Sequence, residues 1–259
     1  MNARVAAASL SGASDAAWAR RAAPHVDLAL MGGLALDRPT RAAARRMVVR
    51  GREEFVTTDP AGFVDGAFRS LSDAAVRPGI NVRAADPEPV ADVAQVCARH
   101  GAVLEVNAHC RQTEMCAAGA GEALLADRDA LREQVAAAAD AGATTSVKVR
   151  AEVGGVDLPA VARAVAAAGG DAIHVDAMDS EAVVADVAAA ADLHVVANNG
   201  VRDRTTVREY VEHGADAVSV GRPSDDPAVL RRVRDAVDDL LRDGPDDGPT
   251  DDRDREVTA

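Results

Sequence analysis

The one lysine of this sequence is its most distinctive residue for chemistry. Arginine fills 28 of the 29 basic positions, and Lys148 alone carries an ammonium group. An ammonium is a compact point charge that fits beneath a ring or against a single oxygen, where the planar fork of a guanidinium does not fit. We therefore expect Lys148 to contact a ligand; the alternative is a lysine that simply escaped an arginine-rich composition.

A cysteine is the second candidate for chemistry. Cys110 follows Asn107 and His109 just after an apolar run. A neutral thiol, whose ordinary pKa is about 8.5, can donate a proton to a carbanion. We expect this role for Cys110; the alternative is a small side chain buried in the core.

The other two cysteines carry weaker signals. Cys97 shares a predicted helix face with Val90, which indicates a core position. Cys116, Cys110 and His109 lack the paired spacing of a zinc site, so we expect no metal.

Eight short β-type runs alternate with helical stretches along the chain. The runs are rich in Val, Ile or Leu and bounded by Gly, Asp or Pro, as buried parallel strands are; they cover residues 4–10, 27–31, 80–84, 103–107, 145–150, 172–176, 194–198 and 217–221. Apolar residues at i, i+3 and i+4 predict helices over residues 87–99, 127–141, 157–168, 180–190, 205–213 and 226–242, and residues 35–77 should hold two more. The pattern predicts an α/β fold, a closed (β/α)₈ TIM barrel; an open doubly wound sheet is the alternative.

The barrel should form a single domain over residues 1–242. Residues 243–259 are mostly Asp, Gly and Pro, which predicts a disordered acidic tail. No apolar run approaches the ~18–20 residues of a membrane span. Residues 1–10 show no signal-peptide pattern, so we expect a cytoplasmic protein.

Acidic residues dominate the charge of the chain. The net charge is −13, with 30 Asp and 12 Glu. So much aspartate and so little lysine indicate a salt-adapted, halophilic source, in which dense carboxylates hold water and ions. A negative charge ordinarily speaks against nucleic-acid binding, because phosphate contacts need Lys or Arg. That inference weakens where the acidity serves solubility.

The predicted strand ends are rich in polar residues and glycine, and barrel active sites lie at the C-terminal ends of the strands. The set comprises Ser11, Gly12, Asn81, Arg83, Asn107, His109, Cys110, Lys148, Arg150, His174, Asp176, Asn198, Asn199, Gly200, Gly221 and Arg222. Within it, Asn199-Gly200 and Gly221-Arg222 follow strands seven and eight, where backbone N–H groups can bind a phosphate. Turn glycines beside a solvated arginine are the alternative.

Five motifs within residues 10–222 resemble the tRNA dihydrouridine synthase family. Residues 103–110, Val-Leu-Glu-Val-Asn-Ala-His-Cys, resemble a strand-four motif in which an Asn precedes the catalytic Cys by three positions. Residues 119–125 resemble the glycine loop of the family and residues 146–150 its Val-Lys-Ile-Arg strand. Residues 197–200 and 218–222 resemble its two phosphate-end motifs.

This resemblance implies an FMN-dependent oxidoreductase that reduces the C5–C6 double bond of uracil in tRNA, with NAD(P)H as reductant. Cys110 would be the general acid, Lys148 would contact the flavin pyrimidine edge, and Asn81 would lie against the isoalloxazine ring. The implied cofactor-binding residues are Ser11, Gly12, Asn81, Lys148, Asn199, Gly200, Gly221 and Arg222, and the implied substrate-binding residues are Asn107, His109, Arg150 and Asp176.

The motifs also depart from the family in three places. His109 and Arg111 flank Cys110 where the family carries Gly and Pro. On strand six, Asp176 and Met178 stand where it carries His and Arg. One helix, residues 226–242, stands where the family carries a helical domain that grips tRNA.

These departures leave the substrate and the role of Asp176 open. A carboxylate beside the FMN phosphate would repel it, so we expect Asp176 to face substrate or to pair with Arg150 or Arg202. Besides tRNA, a small pyrimidine is an alternative substrate, in the manner of dihydroorotate or dihydropyrimidine dehydrogenases. A non-redox phosphate-binding barrel is a third reading.

Overall fold

Eight parallel strands close into a barrel in the order of the chain. The computed structural model describes residues 1–242, and its strands pair successively from first to last, with the first also paired to the eighth. They are β1 (Val5–Ala7), β2 (Leu28–Ala35), β3 (Arg77–Arg83), β4 (Val103–Asn107), β5 (Thr144–Arg150), β6 (Ala172–Asp176), β7 (His194–Asn198) and β8 (Ala217–Val220). The predicted (β/α)₈ barrel is confirmed, and the open sheet is excluded.

Helices surround the barrel and connect its strands. They are α1 (Ala16–Ala22), α2 (Arg38–Val49), α3 (Pro60–Ser70), α4 (Glu88–His100), α5 (Thr113–Cys116), α6 (Glu122–Ala126), α7 (Arg128–Asp140), α8 (Leu158–Ala167), α9 (Val183–Ala190), α10 (Arg204–Glu212) and α11 (Pro227–Arg242). The two helices expected between the second and third strands are α2 and α3. None of the helices described within residues 1–242 is long and apolar enough to cross a bilayer. The predicted tail lies outside the described residues.

Part of the aspartate content has a structural use at helix starts. In six helices the residue before the first turn is an Asp whose carboxylate accepts a hydrogen bond from a first-turn amide: Asp15, Asp37, Asp59, Asp127, Asp157 and Asp203. Such caps satisfy amides that have no partner within the helix and stabilise each helix by roughly 1 kcal/mol. Asp is therefore more than a solubilising residue in this chain.

The first two strands differ from their predicted bounds. β1 is short, and Ser11–Ala13 forms a 3₁₀ turn where the strand was expected to lead into a loop. β2 continues through Gly32 and Gly33, although a glycine pair ordinarily indicates a turn. The Arg83 guanidinium explains the second glycine, because a Cβ at Gly33 would lie 2.6 Å from it.

Strand register brings the polar residues to one end of the barrel. Lys148 pairs with Asn107 on one side and with His174 on the other, and Arg150 pairs with Asp176. The opposite end is apolar: Ala6, Leu28, Leu30 and Val103 pack together there. Because alternate residues of a strand point inward, the polar side chains form a layer above this apolar floor.

Candidate active site

A buried carboxylate lies at the centre of the polar layer. Glu105, in the middle of β4, is fully buried. Its Oε1 accepts a hydrogen bond from Asn81 Nδ2 at 2.7 Å, and its Oε2 lies 2.6 Å from His174 Nδ1. Glu105 was not among the residues expected to bind a ligand or to act in catalysis. Its signal was a charged residue inside an apolar strand, two positions before Asn107 and hence on the same face.

The carboxylate determines how two asparagine amides are oriented. An ionised carboxylate only accepts hydrogen bonds, so Asn81 must present its NH₂ group to Glu105 and its oxygen to Asn107. Asn107 Nδ2 then donates to Asn81 Oδ1 at 2.8 Å. The Oδ1 of Asn107 is left to accept from the backbone amides of His109 at 3.2 Å and Cys110 at 2.9 Å. Glu105 thereby orders the loop that carries Cys110.

A second branch runs from Glu105 across the barrel. His174 Nε2 lies 2.7 Å from Ser219 Oγ, which accepts a hydrogen bond from Asn198 Nδ2 at 2.7 Å. The Ser219 proton is then free to donate to Nε2, which assigns the imidazole proton to Nδ1, facing Glu105. Burial lowers the pKa of His174, and the charge of Lys148 lowers it further. We conclude that His174 is neutral and donates to Glu105.

The ionised state of Glu105 follows from its partners. Burial by itself would raise the pKa of the carboxyl, but His174, the Lys148 charge and the Asn81 hydrogen bond outweigh it and hold the pKa below its ordinary value. One buried carboxylate therefore supports the two branches, which we call the Glu105 network: Asn81, Glu105, Asn107, His174, Asn198 and Ser219.

Lys148 lies directly beside this network. Its side chain is 4% exposed, and burial lowers its pKa while the charges of Glu105 and Asp176 oppose that shift. Within residues 1–242 the ammonium is compensated by these two charges and makes no hydrogen bond. An ammonium has three donors, so Lys148 can bind an acceptor group of a ligand.

Asp176 lies at the barrel mouth between His109 and Asn199. His109 Nε2 is 2.5 Å from Asp176 Oδ2, and Asn199 Nδ2 donates to Oδ1 at 3.1 Å. Burial would raise the pKa of Asp176, but the hydrogen bond from His109 and the charge of Lys148 outweigh it and lower the pKa to about 2. Burial lowers the pKa of His109. The pair is therefore a neutral imidazole that donates to a carboxylate.

The expected ion pair of Asp176 with Arg150 or Arg202 is wrong, although Arg150 and Asp176 are neighbours in strand register. Arg150 is drawn instead to Glu122, with Nη1 3.0 Å from Oε1, and its Nη2 contacts Met178 Sδ at 3.4 Å. Arg202 Nη1 donates to the Gly200 carbonyl at 2.8 Å. The buried Nε of Arg150 has no partner among the described residues, so it retains a donor for a ligand.

Cys110 lies where the polar layer meets an apolar cluster. Its side chain is 8% exposed and packs with Ala35, Ala43, Ala44, Met47 and Met115. Its carbonyl accepts from the Glu122 amide at 3.0 Å. Gly121 makes this approach possible, because a Cβ there would lie 2.0 Å from the Cys110 carbonyl oxygen. The glycine loop thus fixes the backbone of Cys110 from one side and Asn107 fixes it from the other.

The other two cysteines lie apart from the polar layer. Cys97 is fully buried with Val90 on α4, as predicted, and burial raises its pKa to about 12. Cys116 is partly buried, and its Sγ lies 3.4 Å from the Cys110 carbonyl oxygen.

The candidate phosphate residues lie in two different surroundings. A Cβ at Gly221 would meet no atom within 4 Å, and one at Gly200 would meet only Arg202, at 3.7 Å. The backbone is therefore open after β7 and β8, where Arg222 is exposed. Gly12, after β1, is closed instead, since a Cβ there would lie 2.7 Å from the Glu53 and Glu54 backbone. Ser11 Oγ accepts from Arg83 Nη2 at 2.7 Å.

Replacement of Glu105 by Gln should lower the stability of the protein, because it leaves the buried Lys148 ammonium less compensated. Glu105→Gln removes the stronger of the two negative charges that act on buried Lys148, and leaving a buried charge uncompensated costs about 3–5 kcal/mol. We expect the free energy of unfolding at neutral pH to fall by about that amount. Glu105→Gln combined with Lys148→Met should recover part of it, because the unpaired charge is gone. Chemical denaturation of both variants measures this, and a Glu105→Gln protein as stable as the wild type would contradict it.

Comparison with known proteins finds curated relatives that match part of the chain. An uncharacterised protein of Methanocaldococcus jannaschii is 27% identical over 132 residues, which cover 50% of this chain and 51% of that protein. The tRNA-dihydrouridine synthase B of Xanthomonas campestris is 27% identical over 220 residues, which cover 77% of this chain and 65% of the relative. The chain thus spans between half and two thirds of the length of these curated relatives.

A solved structure and a family model complete the comparison. DHODH from Eimeria tenella, solved in complex with ferulenol, superposes with a TM-score of 0.65 at 14% identity, over 92% of this chain and 81% of the other, a likeness that shows the fold alone. The model of the family described as dihydrouridine synthase (Dus) matches residues 79–243, more than half of the chain. The matched segment contains the Glu105 network, Cys110 and Lys148. The chain belongs to the dihydrouridine synthase family.

Proposed function

We propose that this protein is an FMN-dependent oxidoreductase that reduces the C5–C6 double bond of uracil in tRNA. The observation that carries the proposal is the buried ammonium of Lys148, compensated by Glu105, whose network also holds the amide of Cys110. One carboxylate on β4 thereby compensates the charge of Lys148 on β5 and, through Asn81 and Asn107, positions the loop that carries the Cys110 thiol. Family membership and the tRNA-dihydrouridine synthase B relative support this reading.

The residues at the barrel mouth fit FMN. Lys148 has donors for the pyrimidine edge of a flavin, and the open backbone at Gly200 and Gly221 can receive a phosphate, with Arg222 beside it. Asn81 retains one N–H after its bond to Glu105. When bound, FMN supplies a hydride to the substrate, and NAD(P)H is the proposed reductant.

The remaining residues proposed to contact the cofactor lie on two sides of the barrel mouth. Asn199 precedes Gly200 at the open end, with a φ of +94° that turns the chain sharply there. Ser11 and Gly12 lie across the mouth, where Ser11 is held by Arg83. We assign Asn199 to the phosphate side and Ser11 and Gly12 to the opposite wall.

Cys110 is proposed to deliver the proton that completes the reduction. Hydride addition at C6 leaves negative charge at C5 and on the neighbouring carbonyl, and the Cys110 Sγ–H supplies a proton to C5. The new C–H bonds at C5 and C6 replace the double bond, so electrons and protons balance. Cys110 belongs to an apolar cluster with Met47 and Met115, which borders the polar layer at the barrel mouth.

Four residues are proposed to hold the uracil ring. Arg150 offers its unpartnered Nε and Asn107 its second amide N–H, both as donors toward ring carbonyls. His109 and Asp176 form the rim on the substrate side, with the neutral imidazole fixed by the carboxylate. Nothing within residues 1–242 favours a small pyrimidine or a non-redox reaction over this assignment.

Replacement of Cys110 by Ala should separate flavin binding from base reduction. We expect Cys110→Ala to retain its flavin absorbance and to lose dihydrouridine formation on an unmodified tRNA transcript by a factor of 10² or more, since a general acid contributes about 10²–10⁴. Cys116→Ala is the matched control, because that thiol lies beside the Cys110 carbonyl. Nucleoside mass spectrometry measures the product. Unaltered turnover in Cys110→Ala would remove the thiol from the mechanism, and a wild-type protein without flavin or product would refute the function.

Replacement of Lys148 by Met should weaken flavin binding or slow flavin reduction. The change removes the ammonium but keeps the length of the side chain, so a reduced, anionic flavin loses its stabilising charge. Lys148→Arg keeps the charge in a planar fork that does not fit where the compact ammonium fits, so we expect it to restore only part of the loss. Flavin content after dialysis and the rate of NADPH-dependent bleaching measure the effect. Normal content together with a normal rate in Lys148→Met would show that the ammonium does not contact the flavin.

A further inference from the structure

Helix α2 and the turn after it carry an unusual concentration of positive charge. Six arginines lie between Asp37 and Glu53 with no acidic residue among them: Arg38, Arg41, Arg45, Arg46, Arg50 and Arg52. The chain as a whole has a net charge of −13. Residues 38–52, which are α2 and the turn after it, are thus positively charged in a chain that is negatively charged overall.

The arginines lie on the outer face of α2. The inner face consists of Thr40, Ala43, Ala44 and Met47, which are buried. Arg38, Arg45 and Arg46 are exposed. Because residues three, four and seven apart share a helix face, Arg38, Arg41 and Arg45 form one stripe. Arg46 extends it to the side.

The arginines of this stripe form no salt bridge with a carboxylate of the described residues. Arg50 pairs with Glu114 at 2.7 Å and Arg52 with Glu54 at 3.3 Å. No salt bridge among the described residues involves Arg38, Arg41, Arg45 or Arg46; Arg41 donates only to the Thr58 carbonyl, at 3.2 Å. Arg46 lies close enough to Glu114 to interact with its charge, whereas Arg38, Arg41 and Arg45 form no ion pair among the described residues and are available for an external anion.

The stripe lies beside the candidate active site. Ala43, Ala44 and Met47, on the inner face of α2, belong to the same apolar cluster as Cys110. Arg50 Nη2 donates to Gln112 Oε1 at 2.9 Å, two residues beyond the proposed general acid. A long polyanion bound along α2 would therefore pass next to the barrel mouth.

Exposed apolar side chains lie on the same surface. The large hydrophobic residues exposed within residues 1–242 are Val48, Val49 and Val56, with Val49 88% exposed. All three belong to α2 or to the loop after it. Exposed apolar and cationic groups together are typical of a binding surface.

We infer that Arg38, Arg41, Arg45, Arg46 and Val49, here called the α2 surface, bind the phosphodiester backbone of the RNA substrate and hold it at the barrel mouth. The inference rests on the proposed function. A guanidinium fork binds two phosphate oxygens at once, which an ammonium cannot do.

The test compares two triple variants in binding an unmodified tRNA transcript. Arg38→Gln/Arg45→Gln/Arg46→Gln removes charge from the α2 surface. Its matched control is Arg163→Gln/Arg208→Gln/Arg231→Gln, which removes three exposed arginines from α8, α10 and α11. A third protein, Arg38→Lys/Arg45→Lys/Arg46→Lys, keeps the charge. Kd is measured over a KCl series in which circular dichroism shows each protein to be folded.

We expect the slope of log Kd against log[KCl] to fall by about 2–3 in the first variant, because each lost phosphate contact removes roughly 0.7–0.9. Its Kd should rise on the order of tenfold at 0.3 M KCl, with a higher KM for tRNA and an unchanged kcat. The control should match the wild type, and the lysine variant should retain most of the slope.

Three results would overturn the inference: an unchanged slope in the first variant, equal losses in both glutamine variants, or a change in sedimentation instead of tRNA affinity, which would assign the surface to a second copy of the chain. The proposed function fails separately. A wild type that binds tRNA through α2 but forms no dihydrouridine would refute the function alone. Dihydrouridine formation with an unchanged KM in the first variant would refute the α2 surface alone.

Discussion

The polar half of this barrel depends on satisfying one buried carboxylate. An ionised Glu105 in the interior is tolerated only if hydrogen bonds and a nearby cation replace the water it has lost. Asn81 and His174 supply the hydrogen bonds, and Lys148 supplies the charge. In return, the carboxylate fixes the amide orientation of Asn81 and the tautomer of His174, and its charge opposes the fall that burial causes in the pKa of Lys148. The cofactor and substrate sides of the site are therefore coupled through a residue that need not touch either ligand.

Closure of the barrel is what brings these groups together. The members of the Glu105 network come from β3, β4, β6, β7 and β8, and Lys148 comes from β5. A shift of one residue in any strand would turn its side chains from the interior to the helix layer and break the network. The paired register of Asn107, Lys148 and His174 is thus a condition for the chemistry as well as for the fold.

Sequence patterns predicted the elements better than the contacts between them. The bounds of β4, β6 and β7 agree with prediction because each is an apolar run with clear polar limits. The predicted second strand was too short, because Gly32 and Gly33 indicate a turn in sequence whereas β2 continues through them. Glu105 was given no role, since its partner His174 is 69 positions away and only the barrel register makes them neighbours. The expected partner of Asp176 was wrong for the same reason: Glu122 lies beside Arg150 through a loop whose path the sequence does not specify. A salt-adapted source stays a prediction from composition, and a cytoplasmic location stays a prediction from the pattern of residues 1–10.

The central claim, that Glu105 is ionised and orders its neighbours, requires one particular tautomer of His174. Long-range ¹H–¹⁵N spectra of the histidine rings, recorded from pH 5 to pH 9, report which ring nitrogen carries a proton. We predict a His174 imidazole that is neutral at neutral pH, protonated at Nδ1 and bare at Nε2, because burial and the charge of Lys148 lower its pKa. A proton on Nε2, or an imidazolium at neutral pH, would contradict the account.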